Sequence, residues 1–224
     1  MSGWVLVTGS AKRIGRAIAL ELAEHGWDII VHYNRSLDDA QKLAADVHAL
    51  GRNAILAEID LSHPRAAESL IPSLAEEIGM IDALVNNASL FEPDEADPDG
   101  TRHWAINADA PRLLSKAFRD HVHPKERAVI INLLDATPPA PHFSAYNKSK
   151  QFLSDMTRNM AKSFAPQIRV NGVACGFVLP SPRQSEAAFL KMADNKTVSS
   201  QQVATAVRKL IETPTVTGEI VAVV

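Results

Sequence analysis

Short apolar segments alternate with longer amphipathic segments along the chain. The short segments are rich in β-branched residues, and their length and composition predict strands. They are Trp4–Val7, Asp28–Tyr33, Ala54–Ile59, Ile81–Val85, Ala128–Leu133, Ile168–Val173 and Glu219–Val223. In the segments between them, apolar residues recur at helical spacing, which predicts amphipathic helices. Strands that alternate with helices are typical of a parallel sheet.

Glycine follows several of the predicted helices, at the position where a helix most often ends. Gly26 follows the first helix, and Gly51 and Gly79 follow the helices Leu37–Leu50 and Pro64–Ile78. Because crossovers between parallel strands are right-handed, the alternation predicts an α/β fold of the Rossmann-like type. We expect a doubly wound parallel sheet of about seven strands with helices on both faces.

The size and composition of the chain fit one globular domain, which we expect to span residues 1–224. The length of 224 residues is within the range of a single large domain. Apolar residues make up 46% of the chain and charged residues 22%, as is ordinary for a soluble protein.

Charge and cysteine content exclude some partners. The net charge of −3 gives no general attraction to nucleic acid or to anionic membranes, so neither is an expected partner. No apolar stretch approaches the ~20 residues that cross a bilayer. With Cys175 as its one cysteine, the chain cannot form an internal disulfide, and a reducing, cytoplasmic compartment is expected. We expect no metal site.

The segment TGSAKRIG, Thr8–Gly15, lies between the first predicted strand and the first predicted helix. Gly9 and Gly15 bracket this turn, whose open amide groups at a helix N-terminus favour a pyrophosphate. A plain tight turn is the alternative interpretation. Arg13 is unexpected in such a turn, because close approach of a backbone to a ligand favours glycine.

The second predicted strand ends in HYNRS, residues 32–36. At this distance from the turn, a site for NAD usually has an acidic side chain, whereas a site for NADP offers arginine. Arg35 can hold a 2′-phosphate and Ser36 can add a hydroxyl donor. The pattern therefore predicts NADP(H) as the cofactor. In the alternative interpretation Arg35 is solvated and Ser36 is the N-cap of the next helix, and Ser36 could do both.

Tyr146 and Lys150 are four residues apart near the start of a predicted helix, so both project from one face. A nearby ammonium favours the phenolate and lowers the pKa of a tyrosine, which would let the hydroxyl exchange protons near neutrality. A surface pair is the alternative interpretation of the spacing alone. The position after the fifth predicted strand favours a catalytic pair.

Several motifs in one order along the chain resemble the short-chain dehydrogenase/reductases. They are TGSAKRIG, NNAS at Asn86–Ser89, Asn107 within INADAP, the Tyr146/Lys150 pair, and IRVNGVACGFV at Ile168–Val178. The resemblance covers nearly the whole chain. It implies that Asn107, Tyr146 and Lys150 form a proton relay. In that relay the tyrosine exchanges the substrate proton, the nicotinamide exchanges hydride, and the lysine holds the ribose hydroxyls and tunes the tyrosine.

Within that family the chain is most similar to the pteridine reductase branch. Arg13 stands where most members have a third glycine, NNAS replaces the commoner NNAG, and Asp135 replaces a serine that is catalytic in most relatives. The resemblance implies that a pterin stacks between Phe91 and the nicotinamide. Arg13 would reach over the pyrophosphate to the pterin edge. Asp135, with a pKa raised in a dry cleft, would donate a proton together with Tyr146.

The resemblance implies three sets of site residues. The expected catalytic residues are Tyr146, Lys150, Asp135 and Asn107. The expected cofactor contacts are Gly9, Arg13, Ile14, Gly15, Tyr33, Asn34, Arg35, Ser36, Asp60, Leu61, Asn87, Ala88, Ser89, Lys150, Gly176 and Val178. The expected substrate contacts are Arg13, Phe91, Asp135 and Tyr146.

Some of these residues have structural interpretations as well. Phe91 would be a core residue under the following loop, Asp135 would cap a turn, and Arg13 would pair only with a cofactor phosphate. Cys175 replaces a proline that is usual in the family, and a small buried filler is favoured over a reactive thiol. Ten residues separate Asp135 from Tyr146, fewer than is usual in the family, and this shortening could displace Asp135.

The function that the sequence favours is NADPH-dependent reduction of a pterin, from the dihydro to the tetrahydro level. An NADPH-dependent reductase of a ketone or 3-oxoacyl thioester is the second hypothesis, although Asp135 replaces the serine that normally polarises a carbonyl oxygen. A non-catalytic NADPH-binding protein is the third, and the intact relay argues against it. The resemblance also implies a homodimer or homotetramer, formed through the helices within Thr101–Val122 and Ser144–Ala165.

Overall fold

The computed structural model describes residues 3–122, 128–136, 142–181 and 184–224. All of the predicted strands are present in it. They are β1 (Trp4–Val7), β2 (Asp28–Tyr33), β3 (Ala54–Glu58), β4 (Ala83–Asn86), β5 (Ala128–Asp135), β6 (Ile168–Cys175) and β7 (Ile220–Val223). Within the described residues these strands form one parallel sheet in the order β3-β2-β1-β4-β5-β6-β7.

The helices connect successive strands and cover both faces of the sheet. They are α1 (Arg13–Glu24), α2 (Leu37–Ala49), α3 (Pro64–Ile78), α4 (Thr101–Trp104), α5 (Ala110–His121), α6 (Ser144–Ser163), α7 (Glu186–Met192) and α8 (Ser200–Glu212). A 3₁₀ turn at Asp94–Ala96 precedes α4, and a π-helical segment at Ala105–Asp109 joins α4 to α5. Helices α1, α2 and α3 end just before Gly26, Gly51 and Gly79, as predicted.

The strand order determines where along the sheet a ligand crevice lies. The chain runs outward from β1 through β2 to β3, and then returns to the other side of β1 to build β4 through β7. Loops that leave the carboxyl ends of β1 and β4 therefore diverge, and the crevice between them is where doubly wound folds bind ligands. The prediction of a Rossmann-like, doubly wound α/β fold is confirmed.

Each strand contributes side chains to two cores because successive residues face opposite sides of the sheet. On one side, strand residues such as Val5 and Val31 pack with buried residues of α1, α2 and α8. On the other, Leu6 and Ile130 pack with buried residues of α3 and α5. Burial on both faces explains why the strands appear in the sequence as continuous apolar runs.

Two strands are longer than the sequence predicts, and the difference affects the site. β5 and β6 each extend two residues beyond their predicted ends, so that Asp135 is paired in register with Cys175. Pairing with a neighbour of equal length keeps the backbone extended, which the local pattern around Asp135 does not reveal. The proline-rich segment Thr137–Pro141 and Pro182 lie outside the described residues.

In the part of the chain that the structure describes, no helix has the length and apolar character needed to cross a membrane.

Candidate active site

A cleft of about 920 Å³ opens at the carboxyl ends of the strands. It collects most of the residues that the sequence predicts for the site. Those that line it are Gly9, Arg13, Ile14, Gly15, Asn34, Asp60, Leu61, Asn87, Ala88, Ser89, Phe91, Asp135, Tyr146, Lys150, Gly176 and Val178. Tyr33, Arg35, Ser36 and Asn107 are not among the lining residues.

The turn after β1 is packed tightly against the end of β4. The Thr8 hydroxyl accepts hydrogen bonds from the amides of Asn87 and Ala88, both at 2.9 Å, and Asn87 Nδ2 donates to the Thr8 carbonyl at 2.7 Å. Gly9 has a φ of +63°, in the left-handed region that glycine adopts at little cost. A Cβ on Gly15 would lie 2.4 Å from the Gly9 carbonyl oxygen. Backbone approach this close explains why both positions are glycine.

His32, at the end of β2, holds the turn from the other side. Its Nδ1 accepts a hydrogen bond from the Gly9 amide at 2.9 Å, and its Nε2 lies 3.1 Å from the carbonyl oxygen of Ile59. With Nδ1 as acceptor, the neutral ring carries its proton on Nε2. Burial lowers the pKa of His32 to about 4. The sequence shows this histidine only as part of a motif and gives no sign that it supports the turn.

The predicted nucleoside-binding residues separate into two groups. Asn34 and Asp60 line the cleft, and hydrogen bonds from the side chain and amide of Ser62, with a further one from Asn34, lower the pKa of Asp60. Tyr33 instead points away: it is buried, and its hydroxyl lies 3.1 Å from Glu58 Oε2 as a donor. The alternation of side chains along β2 explains this, since His32 and Asn34 face the cleft.

Arg35 and Ser36 follow β2 at the rim. Arg35 is exposed, and Ser36 occupies the N-cap position of α2 without a hydrogen bond from its side chain to the helix. Both remain candidates for the predicted contact with a 2′-phosphate.

Tyr146 and Lys150 lie on one face of α6, and both are buried, with 6% and 9% of their surfaces exposed. The alternative of a surface pair is therefore wrong. Lys150 Nζ lies 5.8 Å from the centre of the Tyr146 ring and donates a hydrogen bond to the Leu133 carbonyl at 3.0 Å. This contact ties α6 to the end of β5 and holds the ammonium beside the cleft.

The predicted lowering of the Tyr146 pKa is wrong for this structure. Burial, and after it the nearby carboxylate of Asp135, raise the pKa of Tyr146 well above 10, and the Ser89 hydroxyl opposes that rise. Desolvation favours the neutral form of a buried phenol. Tyr146 is therefore a neutral phenol at physiological pH, the protonation state of a proton donor.

Asp135 lies beside the Tyr146 hydroxyl, at the half-buried end of β5. The short connection to α6 does not displace it from the tyrosine. The extension of β5 by two residues brings the carboxylate to this position.

Asn107 lies behind the cleft wall in the π-helical segment. Its Oδ1 accepts hydrogen bonds from the Leu90 amide at 2.7 Å and from the Ser89 hydroxyl at 3.2 Å. Its Nδ2 donates to the Leu90 carbonyl at 2.9 Å and to the Ser149 hydroxyl at 3.1 Å. Asn107 thus fixes the segment after β4 against α6, and it makes no direct contact with the Lys150 ammonium among these bonds.

An aromatic wall closes one side of the cleft. Phe91 and Phe143 stack in parallel with ring centres 4.5 Å apart, and the Phe91 and Tyr146 rings are nearly perpendicular with centres 4.8 Å apart. Phe91 is 36% exposed, so its interpretation as a core residue is wrong. No sequence motif marks Phe143, although its position three residues before Tyr146 is a spacing that indicates a neighbour of the tyrosine.

Arg13 connects the turn to the segment after β6. Its Nη2 donates hydrogen bonds to the carbonyl oxygens of Pro180 at 2.8 Å and Leu179 at 3.4 Å. Its φ is +55°, which is unusual for a residue with a side chain. The guanidinium therefore lies at the mouth of the cleft, between the nucleotide turn and Leu179, which also lines the cleft.

Cys175 lies on the floor of the cleft and is 8% exposed. Burial, with a contribution from the charge of Asp135, raises the pKa of its thiol to about 12. A thiol in this state is not a reactive nucleophile, which supports its interpretation as a small buried filler. Among the described residues, no group of three or more His, Cys, Asp or Glu side chains is placed to hold a metal ion.

A family model described as short chain dehydrogenase matches residues 3–190. The chain belongs to the short-chain dehydrogenase family. It is similar to pteridine reductase 1 from Leishmania tarentolae, with 34% identity over 78% of this chain and 76% of that protein. It is also similar to a hydroxynaphthalene reductase from Aspergillus fumigatus, with 29% identity over 92% of this chain and 78% of that protein.

Two solved structures are similar to this chain over nearly its whole length. The structure of FolM alternative dihydrofolate reductase 1 from Brucella canis, complexed with NADP, has a TM-score of 0.88 and 33% identity. The match covers 98% of this chain and 91% of the Brucella canis chain. The corresponding protein from Brucella suis, also solved with NADP, has a TM-score of 0.88 and 34% identity.

As a short-chain dehydrogenase, the chain is an oxidoreductase, and the cleft has the parts that such chemistry needs. It has a glycine-bracketed turn for a pyrophosphate, a buried phenol beside a carboxylate, and a buried ammonium one helical turn away. A cleft of this volume is large enough for a dinucleotide with a small substrate beside it.

Proposed function

We propose that this short-chain dehydrogenase reduces a dihydropterin to a tetrahydropterin with NADPH. The observation that carries the proposal is the placement of Asp135 and Tyr146 side by side, under an aromatic wall formed by Phe91 and Phe143. A pterin is flat and has ring nitrogens that must be protonated when hydride arrives. The site offers an aromatic face for stacking and two groups that can carry protons.

The cofactor is NADP(H), as the sequence predicts. The residues present fit such a group: Gly9 and Gly15 carry no side chain that would keep a phosphate from the backbone of the turn, and Arg35 is exposed just after β2. The neighbouring structures from both Brucella proteins contain NADP. When bound, NADPH supplies the hydride.

The chain's own residues would bind, orient and protonate the substrate. Phe91 offers an aromatic face at the cleft, and Arg13 lies at its mouth, where its donors can reach a polar ring edge. Tyr146, held as a neutral phenol, donates the proton, and the Asp135 carboxylate beside it accepts a hydrogen bond from an N–H group of the pterin ring. Lys150 holds a positive charge near the site as the phenol gives up its proton.

A carbonyl reductase is the second candidate. The hydroxynaphthalene reductase of Aspergillus fumigatus matches more of the chain than the pteridine reductase does. A ketone or 3-oxoacyl thioester would use the same Tyr146 as proton donor. A carboxylate in place of a hydroxyl at position 135 disfavours it, because a negative charge repels the developing oxyanion.

The substitution Tyr146→Phe tests the role of the phenol. It should remove most of the reductase activity and leave NADPH affinity nearly intact, because the ring stays in place and only the hydroxyl is lost. Turnover and NADPH binding, measured on the same preparation, separate these effects. Unchanged turnover would contradict the proposed proton donor.

We also propose that the protein forms a homodimer or homotetramer and works in the cytoplasm. Trp104 on α4 is 41% exposed and lies 5.0 Å from the ring of Phe152 on α6, so an aromatic patch spans the two helices expected at the interface. Sedimentation of the wild type and of Trp104→Glu tests the oligomeric state. A monomeric wild type would contradict it.

A further inference from the structure

Helix α6, which carries Tyr146 and Lys150, begins without a cap of its own. The residue at its N-cap position is Phe143, whose side chain makes no capping hydrogen bond. The first amides of a helix have no partner within the helix, so they need acceptors from elsewhere. The catalytic helix therefore depends on another part of the chain for a defined start.

Asp94, fifty residues earlier, supplies both acceptors. Its Oδ2 accepts a hydrogen bond from the Ser144 amide at 2.9 Å, and its Oδ1 accepts one from the Ala145 amide at 3.0 Å. The Asp94 amide in turn donates to the His142 carbonyl at 2.8 Å. These amide bonds lower the pKa of the Asp94 carboxyl, so it is ionised near neutrality. A negative charge at this end also interacts favourably with the helix dipole.

The same connection joins the two parts of the aromatic wall. Phe91 lies three residues before Asp94, and Phe143 lies one residue before the amides that Asp94 binds. The two rings stack on each other, and Phe91 touches the edge of the Tyr146 ring. The loop after β4 and the first turn of α6 thus form one surface, held at its centre by the Asp94 carboxylate.

A second aspartate fixes the other end of this loop. The buried Asp97 accepts hydrogen bonds from the amides of Arg102 and His103 and lies 2.6 Å from His103 Nδ1. Burial raises its pKa, but the bonds from His103 and Arg102 lower it on balance. His103 Nε2 accepts a hydrogen bond from the Glu92 amide at 3.3 Å. Asp97 thus holds the loop to α4, and Asp94 joins the same loop to the first turn of α6, at some distance along the helix from the Asn107–Ser149 contact.

We propose that Asp94 is a positioning residue for Tyr146: by capping α6 from the loop after β4, it sets the tyrosine and Phe143 against Phe91. This inference rests on the proposed function for the reaction that Tyr146 performs. The capping contact itself does not depend on which substrate is reduced. Asp94 is half-buried, and the groups that its carboxylate binds are the first amides of α6, so its effect on Tyr146 is transmitted through the helix.

Kinetics of Asp94→Ala, with Asp99→Ala as matched control, test the positioning role. Asp99 is exposed and, like Asp94, accepts an amide hydrogen bond at a helix start, but its donor is Thr101 of α4, at 3.0 Å, and not a residue of α6. We expect kcat for the dihydropterin to fall roughly tenfold or more in Asp94→Ala, since small displacements of a reacting group are costly. The KM for NADPH should not change. Asp94→Asn, which keeps one acceptor oxygen, should recover part of kcat, and Asp99→Ala should behave as wild type.

A readout that needs no substrate completes the test. The chain has two tyrosines, Tyr33 and Tyr146, so ring-labelled tyrosine gives two NMR signals, and Tyr33→Phe assigns them. The Tyr146 signal should shift in Asp94→Ala and stay in place in Asp99→Ala, with the Tyr33 signal constant in both. A shifted signal in an enzyme that ignores dihydropterins would overturn the proposed function and leave the positioning role standing. An unmoved signal would overturn the positioning role, and so would equal kcat values for Asp94→Ala and Asp99→Ala in an enzyme that does reduce dihydropterins.

Discussion

The amide of Gly9 donates a hydrogen bond to Nδ1 of His32 over 2.9 Å. This bond joins the turn after β1 to the end of β2, and the carbonyl of Ile59 at the end of β3 lies within 3.1 Å of the other ring nitrogen. One buried neutral imidazole thus connects the three strand ends that form the nucleotide side of the cleft. Protonation would place a donor at Nδ1, directly against the Gly9 N–H.

Acid should destabilise the protein through His32. Burial lowers its pKa from an ordinary value of 6.5 to about 4 in the folded state, so the unfolded chain binds more protons between these pH values. Above pH 6.5 His32 is neutral in both states and costs no stability. As the pH falls from 6.5 towards 4, the free energy of unfolding should decrease by about 3 kcal/mol because of His32. Urea unfolding at a series of pH values measures it. The variant His32→Asn, which keeps an acceptor for Gly9 and cannot titrate, should show a shallower pH dependence; parallel curves would contradict the assignment.

Gly15→Ala should weaken cofactor binding by distorting the turn. The added Cβ would lie 2.4 Å from the Gly9 carbonyl and 2.6 Å from Asn87 Nδ2, so the turn or β4 must shift. We expect a loss of about 1–3 kcal/mol in stability and a rise in the NADPH Kd of at least about tenfold. Gly51→Ala is the control. The φ of +74° at this position strains an alanine backbone, but the added Cβ would meet no atom within 4 Å. It should lose stability and keep its NADPH affinity.

The fold could be predicted from the sequence because its signals are local. Strands buried on both faces read as apolar runs, and helices read as periodic segments with glycine stops, so both could be placed without tertiary information. The ends of β5 and β6 could not, since pairing across the sheet carries the extended backbone through Asp135 and Cys175. The π-helical segment around Asn107 likewise contacts a part of the chain distant in sequence, since Asn107 bonds to Ser149 of α6.

The sequence predicts which residues line the site where they belong to a motif. It does not predict their pKa values, because these depend on burial. Most residues expected at the cofactor and substrate do line one cleft. Helical spacing showed that Lys150 is near Tyr146, but the pKa of Tyr146 depends on how deeply the tyrosine is buried and on its distance from Asp135. Contacts between distant segments, such as Asp94 with the start of α6 or His32 with Gly9, leave no local pattern in the sequence.

Arg35→Ala should reduce affinity for NADPH and leave affinity for NADH unchanged. Arg35 is exposed at the rim after β2, where its guanidinium can hold a 2′-phosphate that NADH lacks. A charge-assisted contact of this kind is worth about 1.5–3 kcal/mol, so the NADPH Kd should rise by roughly ten- to a hundredfold. Fluorescence titration with both cofactors measures the difference. Arg158→Ala, an exposed arginine on α6 away from the cleft, is the control, and equal losses for NADPH and NADH in Arg35→Ala would refute the assignment.

Asp135→Ser should separate the two candidate reactions. Removing the carboxylate takes away the group that accepts a hydrogen bond from the pterin ring, so dihydropterin turnover should fall roughly a hundredfold. A serine hydroxyl at this position can polarise a carbonyl oxygen, so reduction of a 3-oxoacyl thioester should be retained or gained. Both activities are measured on one preparation, with NADPH binding as the control for folding. Dihydropterin turnover equal to that of the wild type would show that Asp135 does not act on the substrate.

The most direct test of the account is consumption of NADPH by the purified wild-type protein. Dihydrobiopterin, dihydromonapterin and an acetoacetyl thioester are offered separately, with NADH in place of NADPH as the control. The account predicts turnover of a dihydropterin with NADPH and little or none with NADH. Turnover of the thioester alone would contradict it and would make Arg13, Phe91 and Asp135 structural parts of a carbonyl reductase.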